Sequence, residues 1–134
     1  MLAKATAHIG GRGYRVDLTS GSHRLVADEP ASRGGADEGP APYDLLLSAL
    51  GACTALTLRM YADRHDWPVE SLDVDLRIVA ADGGNRIRRV ITMSGPAPSA
   101  RARLAEIAER TPVTLTIRNG MPIDTTVAVI SDAG

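Results

Sequence analysis

Aromatic residues and cysteines are scarce in this sequence of 134 residues, which has 3% aromatic side chains, no Phe, one Trp and one cysteine. The core must therefore be built from Leu, Val, Ile, Ala and Met. A single cysteine excludes an internal disulfide framework. We expect the protein in the cytoplasm, where that cysteine stays a thiol.

Charge of one sign is also lacking, since the net charge is −1. This balance gives no general attraction to nucleic acid or to anionic membranes. The most basic stretch contains Arg86, Arg88 and Arg89 but lacks the aromatic side chains on which bases would stack. We interpret it as a solvated strand face and predict no nucleic-acid partner.

Targeting, membrane and metal-binding patterns are missing as well. The N-terminus does not resemble a signal peptide, and no apolar run reaches the roughly 20 residues of a membrane span. The three histidines lie far apart, without the spacing of a zinc site, and no phosphate-binding glycine loop is present. We therefore predict a soluble protein with no membrane partner, no metal and no cofactor.

The periodicity of apolar residues changes along the chain and predicts a single α+β domain over residues 1–134 with antiparallel sheets. The predicted loop over residues 28–42 is rich in Pro and Gly, and long ordered loops often carry function. The predicted long helix over about 43–65 is apolar on nearly every side, which predicts that it is buried. The predicted elements are strands over about 2–27, a loop over 28–42, a long helix over about 43–65, a strand hairpin over 70–93, a helix over about 99–110 and a strand hairpin over 113–131.

Cys53 is the one credible reactive group, in the middle of the long helix. A cysteine on an apolar helix is more often a small core residue than a nucleophile. However, Ser48, Ala52 and Ala55 form a stripe of small side chains beside it, which lets another backbone approach. Gly51 costs roughly 1 kcal/mol in helix propensity against alanine, so we expect a packing reason for it.

Residues 34–62 resemble the OsmC/Ohr family, and the sequence GPAPYDLLLSALGACT over residues 39–54 carries the resemblance. The Asp-Glu-Pro of residues 28–30 and the Ile-Ala-Glu-Arg-Thr-Pro-Val of residues 107–113 extend it over most of the chain. The resemblance implies an intertwined homodimer in which antiparallel sheets wrap around two long helices. It also implies reduction of organic hydroperoxides by paired cysteines.

By this resemblance, Cys53 matches the cysteine that attacks the peroxide, and Arg12 resembles the arginine that holds its thiolate. The acidic partner of the family falls at Tyr43, with Asp44 adjacent. At Thr111 the family has its second cysteine, and a histidine follows where this chain has Thr114. Thr111 cannot resolve a sulfenic acid, so Cys53 would need an external thiol.

Three hypotheses follow from these residues. In the first, Cys53 is a one-cysteine peroxidase assisted by Arg12, Tyr43 and Asp44, and a small thiol or a dihydrolipoyl carrier reduces it. In the second, the chain is a non-enzymatic protein that binds an apolar small molecule at the dimer interface. In the third, Cys53 is a redox sensor that is oxidised once and signals.

Overall fold

A computed structural model of the chain describes residues 1–130. The predicted α+β class with antiparallel sheets is confirmed. The described elements, in chain order, are β1 (Ala5–Ile9), β2 (Val16–Ser20), β3 (His23–Ala27), a 3₁₀ turn (Ala31–Arg33), α1 (Pro42–Arg64), β4 (Ser71–Ala81), β5 (Gly84–Ser94), α2 (Pro98–Ala108) and α3 (Pro112–Asn119).

The N-terminal strands form an antiparallel meander in the order β1-β2-β3. Leu18 in the central strand pairs with Ala7 on one side and Leu25 on the other. Gly21, with a φ of 59°, makes the tight turn between β2 and β3, where a side chain would be strained. Within this sheet only Ala27 is buried, so most of both faces is open in the single chain.

The 23-residue helix α1 begins at Pro42, where its missing N–H costs nothing. A stripe at a spacing of four residues is buried, and its lower half packs on α2 through Leu104 and Ala108 to form the core. The expectation that the whole helix is buried was wrong for the single chain, because nothing among residues 1–130 covers the opposite face. The buried stripe consists of Leu50, Thr54, Leu58 and Ala62.

The exposed side of α1 is also apolar. Cys53 completes an alternating spacing of three and four residues whose other members, Leu46, Ala49, Leu56 and Met60, are exposed and lie on one side of the helix. We call these four residues the uncovered face of α1. The most apolar part of α1 has a mean hydropathy of 1.4 and is 22% buried, so by length and composition alone this helix would suffice for a membrane span. The core helix of a soluble protein passes the same test, and the uncharged stretch between Asp44 and Arg59 is shorter than the roughly 20 residues of a membrane span.

Strands β4 and β5 form a long hairpin, close to the hairpin predicted over 70–93. All eleven positions pair in antiparallel register, from Ser71 with Ser94 to Ala81 with Gly84, and Asp82 and Gly83 make the turn. Alternate residues of β4 face α1, so the hairpin covers one flank of the helix.

The strand predicted from residue 113 was wrong, because Pro112–Asn119 is helix α3. Thr111 is extended, with φ −66° and ψ 151°, and Pro112 takes the first helical position. The alternating β-branched residues there favour a strand, but burial of Thr114 against α1 and β5 overrides that preference. Residues 121–130 form no strand in the described chain, and the predicted end of the hairpin at Ser131 lies outside the described residues.

Candidate functional site

Cys53 is a free, half-buried thiol on α1. It lies between Ala49 and Leu56 in the three-four spacing of the uncovered face, and its neighbour Thr54 belongs to the buried stripe. Its described polar contact is Thr57, whose Oγ1 lies 3.9 Å from Sγ. The thiol thus lies at the border between the core and an apolar surface, and its polar contact with Thr57 is long.

Gly51 has the packing reason that the sequence suggested. A Cβ at this position would lie 2.9 Å from Cδ1 of Leu76 on β4. Ser48, Ala52 and Ala55 border the same shallow groove between α1 and β4. The small stripe therefore lets the hairpin lie close to the helix, one flank away from the thiol.

Thr111, where we predicted the loss of a second cysteine, is completely buried. Its Oγ1 lies 2.6 Å from Oγ1 of Thr114. Thr114 in turn accepts a hydrogen bond from Nη1 of Arg89 at 2.9 Å. Thr111 and Thr114 are thus part of one hydroxyl network.

Arg89 is the centre of that network. Its Nη1 also donates to Oγ1 of Thr54 at 2.9 Å, and its Nη2 donates to the carbonyl of Ala108 at 2.9 Å. Thr54 completes the chain by donating to the carbonyl of Leu50 at 2.7 Å. One guanidinium thus joins β5, α1, the end of α2 and α3.

The interpretation of Arg89 as part of a solvated strand face was wrong. Arg88 is exposed, but Arg89 is half-buried and faces inward with Ile87 and Ile91, its neighbours at a spacing of two. That alternation was a signal in the sequence, because it placed an arginine among apolar residues on the core side of β5. Thr54 and Thr114 left no comparable signal.

Arg12, Tyr43 and Asp44 do not gather around Cys53 within the described chain. Arg12 is exposed in the turn between β1 and β2 and makes no side-chain ion pair or hydrogen bond with residues 1–130. The ring of Tyr43 is 69% exposed. Asp44 accepts a hydrogen bond from the N–H of Ala41 at 3.2 Å and so caps the start of α1.

The loop between β3 and α1 is held by Asp28, which is buried. Its carboxylate accepts the N–H of Glu38 at 3.1 Å and the N–H of Glu29 at 2.7 Å. These bonds, that of Glu38 first, keep the pKa of Asp28 below its ordinary value. Gly39 is required for close approach, because a Cβ there would lie 2.2 Å from the carbonyl oxygen of Val26.

A cavity of about 520 Å³ opens beside the hydroxyl network. The turn of the β4–β5 hairpin, α3 and the side chain of Leu50 form its walls. Arg89 lines it, and so do Arg118 and Glu109, which pair with each other. This volume fits a small organic molecule. The described part of the chain has no cluster of three metal-ligating side chains.

The family model for OsmC-like proteins matches residues 34–126. The chain belongs to the OsmC-like family. The matched region of this OsmC-like chain contains Cys53, Arg89 and Thr111, and Arg12 precedes it. A comparison with curated protein sequences gave no significant match.

Solved structures of similar fold support the same assignment of this OsmC-like chain. An OsmC-like protein from Mycoplasma pneumoniae is 19% identical with a TM-score of 0.75, over 90% of this chain and 89% of that one. An organic hydroperoxide resistance protein OsmC from Legionella pneumophila is 23% identical with a TM-score of 0.63, over 89% and 90%. The organic hydroperoxide resistance protein OhrB of Bacillus subtilis is 23% identical with a TM-score of 0.61, over 90% and 93%.

Proposed function

We propose that this OsmC-like chain is a one-cysteine thiol peroxidase that reduces organic hydroperoxides in the cytoplasm. Family membership and the likeness to hydroperoxide resistance proteins support a peroxide-related redox role. The single observation that carries the proposal for this chain is the half-buried thiol of Cys53, which is free and borders an apolar surface. An apolar approach suits an organic hydroperoxide better than hydrogen peroxide.

The reaction balances with one hydroperoxide and two thiols. The Cys53 thiolate attacks the terminal oxygen of the peroxide, the O–O bond breaks, and an alcohol leaves as the cysteine becomes a sulfenic acid. An external thiol condenses with the sulfenic acid, releasing water and forming a mixed disulfide. A second thiol, or the second sulfur of a dihydrolipoyl group, displaces the first and restores Cys53.

An external thiol is needed because Thr111 has no sulfur with which to resolve the sulfenic acid. Its hydroxyl is buried and hydrogen-bonded to Thr114. The proposal therefore requires a reductant of small size, since it must reach a half-buried thiol on a helix.

We propose further that the working form is a homodimer. Together with Cys53, the residues of the uncovered face of α1 follow alternating spacings of three and four, a pattern by which two helices pack against each other. Residues 121–130 also lack a packing partner in the described chain, because Ile123 and Val127 are each 87% exposed. A second copy would cover the helix and offer a sheet edge to this segment.

Dimerisation would also bring Arg12 into use. Most of the surface of the β1–β3 sheet is exposed, and Arg12 lies in the turn between β1 and β2. In our proposal, Arg12 of one copy stabilises the Cys53 thiolate of the other. Tyr43 and Asp44, at the start of α1, would line the same approach.

Peroxidase turnover tests the function directly. We expect wild type to consume cumene hydroperoxide with dithiothreitol or dihydrolipoamide as reductant, and Cys53→Ser to lose this activity. Ser48→Ala is a control on the same helix, since Ser48 lies on the flank away from Cys53 and its hydroxyl donates a hydrogen bond to the carbonyl of Asp44. Equal rates for wild type and Cys53→Ser with every reductant would end the proposal.

Sedimentation at several protein concentrations tests the dimer. Leu56→Glu places a charge in the middle of the uncovered face and should shift the protein toward monomer. Ala105→Glu places the same charge on the exposed side of α2 and should not. A wild type that stays monomeric at high concentration would refute the dimer.

A binding or sensing protein is the second candidate function. The observation that favours it is the hydroxyl pair of Thr111 and Thr114 at the two redox positions of the family. The alkylation rate of Cys53 against pH separates the candidates. A peroxidase thiol should react at full rate at neutral pH, whereas an ordinary thiol becomes fast only near pH 8.5, at about its usual ionisation.

A further inference from the structure

Arg89 is a half-buried cation whose three described hydrogen bonds all go to uncharged oxygens. By contrast, the nearby Arg118 pairs with the carboxylate of Glu109. No carboxylate lies within 4.0 Å of the Arg89 guanidinium in the part of the chain that the structure describes. Partly buried charges are ordinarily paired. The bond to Arg118 and, more weakly, the charge of Arg89 lower the pKa of Glu109, but its carboxylate is bonded to Arg118 and makes no direct contact with Arg89 in the described residues.

The geometry of the guanidinium shows which donors remain. Oγ1 of Thr114 and the carbonyl oxygen of Ala108 lie 3.4 Å apart. Nη1 contacts the first and Nη2 the second, so these two oxygens occupy the end of the guanidinium. Thr54 takes the other hydrogen of Nη1.

Two of the five N–H donors of Arg89 are left, one on Nε and one on Nη2. They lie side by side along one edge, which is the arrangement that binds a carboxylate or phosphate through two parallel hydrogen bonds. Neither has an acceptor among residues 1–130. Arg89 lines the cavity of about 520 Å³.

The walls of the cavity suit an anion with an apolar body. Three arginines line it against the two acids Asp82 and Glu109, and Glu109 is already bonded to Arg118. Leu50, Ile87 and Ile117 provide apolar wall. We call this cavity the Arg89 pocket.

We propose that the Arg89 pocket binds a small organic oxyanion, a carboxylate or a phosphate, through the Nε and Nη2 edge of Arg89. The three bonds to Thr54, Thr114 and Ala108 hold the guanidinium in place before the ligand arrives, which reduces the ordering cost of binding. The apolar walls select a ligand with a short hydrocarbon or aromatic body. The proposal does not depend on peroxidase activity, so binding should persist in Cys53→Ser.

Isothermal titration calorimetry of the full chain at fixed ionic strength tests the proposal. The probes are sodium benzoate, phenyl phosphate, inorganic phosphate and the neutral analogue benzamide. We expect saturable binding of benzoate or phenyl phosphate, weaker binding of inorganic phosphate and none of benzamide. Whichever of the two aromatic anions binds more tightly identifies the head group.

Three variants assign the binding to the pocket. Arg89→Lys keeps the charge but loses the paired edge, and should weaken binding by about tenfold or more. Glu109→Gln removes an exposed negative charge from the rim and should tighten binding by about threefold. Arg88→Lys, on the other face of β5, should bind as wild type does.

The proposal is overturned if neither aromatic anion binds saturably or if benzamide binds equally well. It is also overturned if a folded Arg89→Lys binds the anions with unchanged affinity. Should Arg89→Lys fail to fold by circular dichroism, Glu109→Gln decides, since unchanged or weaker anion binding there would also reject the pocket.

Discussion

The Arg89→Met substitution removes a guanidinium that joins four elements while keeping much of its hydrocarbon stem. Three hydrogen bonds are lost, to Thr54, Thr114 and the carbonyl of Ala108. At about 1.5–3 kcal/mol for each bond to a charged group, the upper bound on the loss is about 5–9 kcal/mol.

Two features of the structure reduce this figure. Thr54 keeps its bond to the carbonyl of Leu50 and Thr114 keeps its bond to Thr111, so neither hydroxyl is left without a partner. The adjacent cavity also admits water, which can replace part of what the guanidinium donated. We therefore expect the free energy of unfolding to fall by about 2–4 kcal/mol.

Urea denaturation followed by circular dichroism measures this change, at one protein concentration because a dimer would make stability depend on it. Arg88→Met is the matched control, since Arg88 is the next residue on the exposed face and should change stability by no more than about 0.5 kcal/mol. A double-mutant cycle with Thr54→Val should give a coupling energy of about 1 kcal/mol. Equal midpoints for Arg89→Met and Arg88→Met would refute the assignment of Arg89 to the core.

Three further substitutions test other parts of the fold. The pKa of Asp28 is lowered in the folded chain, chiefly by the hydrogen bond from the N–H of Glu38. The carboxylate therefore stabilises the fold at pH values above its ordinary pKa of 3.8, and this stabilisation is lost as the pH falls through the lower pKa of the folded chain. Asp28→Asn should therefore flatten the loss of stability on acidification, and denaturation midpoints that fall as steeply with acid as in wild type would contradict this. Gly51→Val should be about 1–3 kcal/mol less stable than Gly51→Ala. The Cβ of either residue meets Cδ1 of Leu76 at 2.9 Å, but alanine needs only a small shift of that methyl group and gains helix propensity, whereas valine must displace it further. Thermal midpoints in the reverse order would exclude the close contact. Thr111→Val should cost about 1 kcal/mol in urea denaturation through its lost hydrogen bond, and a more stable variant would show that the hydroxyl network is dispensable.

Local patterns predicted several features well because a single element decides them. The alternation of apolar residues in 70–93 fixes which face of a hairpin is buried, and β4 and β5 follow it in register. Pro42 and the apolar run after it predict α1 almost to the residue. Asp82 and Gly83 supply a tight turn whatever surrounds them.

The end of the chain was harder because distant contacts decide it. Residues 113–118 have a β-branched alternation that favours a strand, yet burial of Thr114 against Arg89 makes them helical. Residues 121–130 are rich in β-branched side chains but form no strand, since a strand requires a neighbouring strand and none pairs with them among residues 1–130.

The sequence by itself determined the family, the α+β class and the candidate nucleophile, because the motif around Cys53 and the periodicities are local and long. Only the tertiary structure revealed the hydrogen-bond network of Arg89 and the cavity beside it. The network of Arg89, Thr54 and Thr114 spans residues 25 and 35 positions apart in the chain, and no spacing predicts which side chains meet over such separations. Folding brings them together because a half-buried guanidinium needs acceptors, and the hydroxyls of α1 and α3 supply them.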